Sequence, residues 1–258
     1  MPACSWNAET AARAAARSGF GPLEFHPTLG STNDRLAALA EAGAAAGQLV
    51  VAEAQSAGRG RAGRAFSSPP GGLYVSLLLR LEPEVLARYP LSLVAGLSLC
   101  EALEALGVPA QLKWPNDVWI EGRKVAGILV EVAYQGPRPR AVIGLGVNVE
   151  TDPAALPPEA ISLAETASAP RRPAVLERLL TALRLRLDQL EANDLAPLRA
   201  GLAGKSALLG ARVRAEVDGR PLEGIALGLA PSGALRIQPD SGPELALMSG
   251  DVQHVRGV

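Results

Sequence analysis

Gly58-Arg59-Gly60-Arg61-Ala62-Gly63-Arg64, preceded by Gln55, sets three bare-backbone positions among three fixed positive charges. Glycine lets a main chain approach a ligand and present its N–H groups, and a guanidinium offers a planar fork that matches carboxylate or phosphate. The segment reads as an anion-gripping loop, with a disordered Arg-Gly linker or an RNA-binding tail as the bland alternative. It is not a Walker A loop, because no Gly-Lys-Ser/Thr follows, nor does it fit the dinucleotide pattern. A second group is Lys113-Trp114-Pro115-Asn116-Asp117, with Lys124 seven residues beyond Asp117. Pro115 restricts Trp114 to an extended conformation and Asn-Asp favours a turn, so a hairpin would bring the Asp117 carboxylate and the Lys124 ammonium to one end of a sheet. An ordinary β-turn beside a surface lysine is the alternative. The third group, Gly127-Ile128-Leu129-Val130-Glu131 with Gly144-Leu145-Gly146-Val147-Asn148, places glycines inside β patterns. There they cost stability unless a ligand or another backbone comes close, and a tight strand-on-strand contact is the competing explanation. Asn148, among apolar residues, needs partners for its amide if it is buried.

These groups need elements to hold them. Leu23 to Leu29 reads as an extended segment, and Ser31 is placed to N-cap a helix opened by Thr32-Asn33-Asp34. Gln48 to Gln55 looks like a strand that runs straight into the Gly/Arg loop, and Leu73 to Leu81 is a β-rich run. Leu91 to Leu106 is apolar on nearly all sides and stopped by Gly107, a pattern that suits a buried helix. Four short strands follow, at 111–114, 118–120, 124–133 and 141–150, separated by Pro-Asn-Asp, Glu-Gly-Arg and Gln-Gly-Pro turns that imply antiparallel pairing. After a Pro- and Ala-rich stretch, Ala174 to Leu190 carries leucines at helical spacing. From about Ser206 five short strand candidates, punctuated by Asp218-Gly219, Ser232-Gly233 and Ser249-Gly250, suggest a small β-barrel of roughly 50 residues. The expected division is therefore a larger domain over 1–205 and a small C-terminal domain over 206–258.

Composition excludes several classes. With 25 Lys+Arg against 26 Asp+Glu in 258 residues, the chain lacks the cationic excess of a protein that coats nucleic acid or an anionic membrane, so any anion binding must be local. Cys4 and Cys100 are too few for a zinc cluster or a disulfide framework. No apolar stretch of signal-peptide or membrane-spanning length is present, which makes a cytoplasmic protein the expectation. The basic residues divide into 22 Arg and three Lys, at Lys113, Lys124 and Lys205, so a lysine inside a motif stands out against an arginine background.

Ser31-Thr32-Asn33, Gln55 with GRGRAGR, KWPNDV, GRKVAGILVE and GLGVNV, in that order, closely resemble the biotin protein ligases, and the C-terminal β module is similar to theirs. The resemblance implies a class II aminoacyl-tRNA synthetase-like α+β domain, with a mixed, mainly antiparallel sheet, followed by an SH3-like barrel. It implies an enzyme that uses ATP and Mg²⁺ to join biotin to one lysine of a biotin carboxyl carrier protein of acetyl-CoA carboxylase, through biotinyl-5′-AMP. Carried over by position, Ser31, Thr32, Asn33, Gln55, Gly58, Arg59, Arg61, Gly127, Ile128 and Gly144 would surround biotin. Arg61, Arg64, Phe66, Lys124 and Asn148 would serve ATP, with Lys124, Arg61 and Asp117 in the chemistry and no protein-held metal site, the magnesium riding on the phosphates.

Two departures stand out. Phe66 takes the place where many members carry Trp, keeping a hydrophobic face without the indole N–H. The roughly 22 residues ahead of the first strand are too few for the DNA-binding domain of some members, so no operator binding is expected. A homodimer through sheet edges is compatible with the pattern, although no edge strand can be named from it. A lipoate ligase is the competing enzyme and should lack the GRGRxGR and KWPND pairing. A regulator that uses the adenylate only as a signal is the competing non-enzyme, against which the retained Lys124 and Asp117 argue.

Overall fold

A computed structural model describes residues 6–134, 138–217, 220–250 and 252–254. Cys4 and the expected Gln-Gly-Pro and Asp218-Gly219 turns lie outside the described residues. The elements run α1 (Ala8–Ala16), β1 (Leu23–Leu29), α2 (Thr32–Glu41), β2 (Leu49–Gln55), β3 (Leu73–Arg80), α3 (Pro83–Arg88) and α4 (Leu91–Glu104). They continue with β4 (Gln111–Lys113), β5 (Asp117–Ile120), β6 (Arg123–Ala133), β7 (Arg140–Val147), α5 (Arg172–Glu191) and α6 (Ala196–Lys205), then β8 (Arg212–Val217), β9 (Arg220–Leu229), β10 (Leu235–Pro239), β11 (Leu245–Leu247) and β12 (Val252–His254).

The first seven strands form one sheet in the order β1-β2-β3-β7-β6-β5-β4, parallel only between β1 and β2. This is the mixed, mainly antiparallel sheet the resemblance implies, and β4 to β7 pair antiparallel as their short turns require. The alternation of β3 explains the layering. Val75, Leu77 and Leu79 enter the main core beneath α4 and α5, while Leu78 joins Val50, Val142, Leu36 and Ala40 under α2. A strand covered on both faces reads as a continuous apolar run, which is the texture of LYVSLLLRL. α4 buries eleven of its fourteen residues, as its all-round apolarity predicts, and ends where Gly107 takes φ +78°. α5 lays Leu176, Leu179, Leu180, Leu183, Leu187 and Leu190 against that core.

Three helices go beyond what the sequence pattern suggests. α1 arises from an Ala-rich stretch that has only propensity to show for itself, and it is fixed by Asn7 and Thr10, which cap one another's backbone N–H groups at 3.0 Å. α3 and α6 are short and begin with proline at the first turn.

The last five strands form a separate antiparallel sheet, β11-β10-β9-β8-β12, around Val213, Ala215, Ala226, Leu235, Ile237 and Val252. It touches the site-bearing part at defined points: Trp114 Nε1 donates to Gly233 O at 3.1 Å and Arg199 donates to Pro231 O at 3.2 Å. Among the described residues no helix is long and apolar enough to cross a membrane.

Candidate active site

An open cleft of about 280 Å³ lies over the middle of the large sheet, between the start of α2, the Gly/Arg loop and the β4–β5 turn. At one end stand three side chains from the first turn of α2. Ser31 caps the helix, accepting the Asp34 N–H at 3.4 Å. The Thr32 N–H and hydroxyl both donate to Gln55 Oε1, at 2.8 and 3.1 Å, and Gln55 Nε2 donates to Ser68 Oγ at 2.9 Å. Ser76 Oγ lies 2.6 Å from Asn33 Oδ1 and 2.8 Å from Thr32 Oγ1, and Asn33 Nδ2 donates to Glu131 Oε2 at 2.8 Å. Asn33, Thr32 and Ser76 are buried. Their donors and acceptors are thus assigned by one another, and the recess presents fixed hydrogen-bonding groups suited to a neutral polar ring.

The loop beside this recess is held by backbone rather than by bulk. Gly60 N–H donates to Arg64 O at 2.7 Å, Phe66 N–H to Gly58 O at 2.9 Å, and Ala57 N–H to Gly30 O at 2.9 Å. The tip turns through Ala62 at φ 53° and Gly63 at φ 73°, the first of which costs an L-residue roughly 1–2 kcal/mol. Arg59 leaves the loop to meet Asp34 at 2.5 Å and Glu131 at 2.9 Å. Burial works to lower the pKa of this guanidinium, but Glu131 and then Asp34 outweigh it and hold it above the ordinary arginine value. Arg61 reaches the other way, donating to Asn116 Oδ1 at 3.3 Å and to Gly250 O, between β11 and β12, at 3.5 Å. Arg64 lines the same end.

There Lys124 Nζ sits 2.7 Å from Asp117 Oδ1, with side chains 32% and 19% exposed. The hairpin reasoning is met: β5 and β6 pair side by side, and Asp117 is cross-strand to Gly127. Two further supports hold this pair, the first of them without a sequence signal. Lys124 N–H donates to Glu159 O and its carbonyl accepts from Ile161 N–H, so the Pro- and Ala-rich segment clamps the lysine backbone from outside the sheet. Asn116 is stitched to Ile128 by two bonds of 2.9 Å, which fixes the turn over β6.

The glycines are explained differently from the expectation of an approaching ligand or backbone. A Cβ on Gly144 would overlap Asn33 Oδ1, and a Cβ on Gly127 or Gly146 would stand 2.9 or 2.5 Å from the Phe66 ring. Protein side chains fill these positions: Gly127 and Gly146 face each other across β6 and β7 and make the shelf on which Phe66 lies. From that shelf Phe66 meets Lys124, whose Nζ is 5.6 Å from the ring centroid.

Of the residues singled out from the sequence, the cleft is lined by Ser31, Thr32, Asn33, Gln55, Arg59, Arg61, Arg64, Phe66, Asp117, Lys124, Gly127, Ile128 and Gly144, but not by Gly58 or Asn148. A Cβ on Gly58 would stand 2.5 Å from Phe66 O and from Ser68 Oγ, so this glycine shapes the loop from behind. Asn148 is buried, donates to Ile161 O at 3.2 Å, and has a carboxamide oxygen with no partner among the described residues. Ser76, Glu131 and Glu159 take parts that the sequence does not assign them, whereas Asn116 sits in the turn expected of it. Ser76 carries the one available signal, a hydroxyl inside an otherwise apolar strand, which must find a partner when buried. No cluster of three or more His, Cys, Asp or Glu able to hold a metal ion occurs among the described residues.

A polar recess facing a lysine–carboxylate pair across a glycine shelf, with a small antiparallel sheet appended, fits the class that two family models describe. Residues 26–148 match the Biotin/lipoate A/B protein ligase family, and residues 208–255 match the Biotin protein ligase C terminal domain. A biotin--[acetyl-CoA-carboxylase] ligase from Mycobacterium tuberculosis (strain ATCC 25618 / H37Rv) is 38% identical over 250 residues, covering 93% of this chain and 92% of that protein. Its counterpart of the same name from Paracoccus denitrificans is 37% identical over 226 residues, covering 83% and 93%. A solved biotin protein ligase from Aquifex aeolicus, in complex with biotin and ATP, superposes with a TM-score of 0.78 at 30% identity, covering 92% of this chain and all of that one. The chain belongs to the biotin protein ligase family.

Proposed function

We propose that this protein attaches biotin to a lysine of the biotin carboxyl carrier protein of acetyl-CoA carboxylase, forming biotinyl-5′-AMP from biotin and ATP on the way. The observation that carries the reading is the polarity of the cleft: a hydrogen-bonding recess at Thr32, Asn33 and Gln55, backed by the buried Ser76, and cationic side chains at Arg61, Arg64 and Lys124. A substrate with a neutral polar ring and an anionic tail is oriented by that gradient alone. Ser31, Thr32, Asn33 and Gln55 take the ureido ring, and Gly127, Ile128 and Gly144 wall the aliphatic tail, with Gly58 and Arg59 shaping the loop beside it. The biotin carboxylate oxygen then attacks the α-phosphorus, pyrophosphate leaves, and Lys124 and Arg61 stabilise the charge that grows on the non-bridging oxygens. Arg64 grips phosphate and Phe66 covers the base. Asn148 stands behind this side rather than in the cleft lining, and its carboxamide oxygen, without a partner among the described residues, is the acceptor it would offer there.

In the second step the carrier lysine amine attacks the biotinyl carbonyl, AMP leaves, and the amine's proton is lost. Asp117, at the mouth beside Lys124, orients that amine and assists its deprotonation. Magnesium arrives on the ATP phosphates, in keeping with the donor set around the cleft, whose acceptors are engaged with arginine, lysine and amide donors. We assign the two steps to residues 1–205 and carrier-side support to residues 206–258; the change from α6 to a separate sheet supports that division.

Incubation of the purified chain with biotin, ATP, Mg²⁺ and an apo carrier domain should yield a biotinylated carrier, AMP and pyrophosphate. An unlabelled carrier, or labelling by lipoate in preference to biotin, would refute the reading.

A further inference from the structure

We propose that Glu131 is a positioning residue for biotin recognition, and that Arg59 is a strut for the loop rather than a group that binds the substrate's anionic end. The inference rests on the reading of the cleft given above. Glu131 Oε2 accepts from Asn33 Nδ2 at 2.8 Å and from Arg59 Nη2 at 2.9 Å, so one carboxylate oxygen serves a side chain of the polar recess and the first arginine of the loop together. Arg59 Nη2 also lies 2.9 Å from Glu131 Oε1 and 2.5 Å from Asp34 Oδ1. One guanidinium between two carboxylates leaves the cluster with a net charge of about −1, which repels a carboxylate or phosphate. The anionic end of any substrate is therefore directed to Arg61, Arg64 and Lys124.

The same cluster fixes the recess. A carboxamide can present either face, and Asn33 has its choice made for it: Glu131 takes the Nδ2 side, Ser76 faces Oδ1, and the missing Cβ of Gly144 leaves room for the result. Arg59, Asp34 and Glu131 are 42%, 59% and 38% exposed, so the ion pairs by themselves contribute little to stability. Their effect passes through Asn33, which is 4% exposed, and through the position of the loop.

Glu131→Gln is isosteric and removes the charge. A glutamine oxygen in the place of Oε2 still accepts from Asn33, but the amide nitrogen then stands in the place of Oε1, 2.9 Å from the Arg59 Nη2 donor, and the charge that holds the guanidinium is gone. In pyrophosphate release with saturating ATP, we expect the KM for biotin to rise about tenfold, with kcat and the melting temperature nearly unchanged. Arg59→Gln should act similarly and, combined with Glu131→Gln, add less than about twofold. Tryptic cleavage after Arg61 and Arg64, read with no ligand present, should speed up several-fold in Glu131→Gln, and this readout needs no turnover. A wild-type chain that releases no pyrophosphate refutes the functional reading and leaves the cleavage comparison to decide this one. An unchanged biotin KM with unchanged cleavage, or effects of the two substitutions that multiply, overturns the role given to Glu131.

Discussion

At one end of the cleft Asn33, Thr32 and Ser76 are withdrawn from solvent and held, with Gln55, by contacts of 2.6–3.1 Å. At the other, Arg61 makes two contacts of 3.3 and 3.5 Å and Lys124 keeps about a third of its side chain exposed. The difference follows from what each end handles. A neutral ring offers only modest hydrogen bonds, so it is recognised by groups whose geometry is settled in advance and that need no reorganisation. A triphosphate supplies strong charge-assisted bonds of its own, and a side chain with loose protein contacts, as Arg61 has, can turn toward it at small cost, while Lys124 stands in a 2.7 Å pair with Asp117. Rigidity thus sits where discrimination is needed, and an adjustable arginine joins the paired lysine where charge develops.

The contrast between the two ends breaks most visibly at Lys124. Lys124→Ala removes a charge aimed at the α-phosphate and should slow single-turnover pyrophosphate release by about 10²–10³, with biotin affinity nearly intact. A normal rate would take Lys124 out of the chemistry and leave the cationic end to the arginines alone.

At the rigid end, Gly144→Ala should be next in size. Its Cβ overlaps Asn33 Oδ1, and since the helix start behind Asn33 is buried, the amide must rotate out of its network. Breaking a buried hydrogen bond costs about 1–3 kcal/mol, so biotin affinity measured by calorimetry should weaken roughly ten- to a hundred-fold while the KM for ATP stays put. Equal losses for both ligands would mean that the two ends are not independent.

Phe66 lies between them and sharpens the division. Phe66→Ala should raise the KM for ATP by a few-fold and leave biotin affinity unchanged, because the nucleotide loses a stacking face while the polar recess keeps every bond it has. If biotin weakens in parallel, the ring's main work is to hold the loop onto the Gly127–Gly146 shelf.

The sequence alone determined the order of the strands in the chain, the Ser31 cap, the stop at Gly107 and the three groups of residues that carry chemistry, because each depends on neighbours a few positions away. It also required that something approach Gly127, Gly144 and Gly146, since glycine in a strand demands a reason. Only the tertiary structure decided that Asn33 and Phe66 are what approach, for a missing Cβ records empty space and not its occupant. α1, α3 and α6 escaped notice because they are short and draw their stability from packing and caps more than from periodicity. Ser76 could be flagged as a polar residue in an apolar strand, but its partners Thr32 and Asn33 lie more than forty residues away. Glu131 stood inside a marked group without a role of its own, and the Glu159 segment left no local mark at all. A carboxylate that bridges a helix start and a loop, and a backbone that clamps Lys124 where the pairing with β7 has ended, exist only once β2, β6 and β7 have brought distant parts of the chain together, and that closure is set by the shared core and not by any single motif.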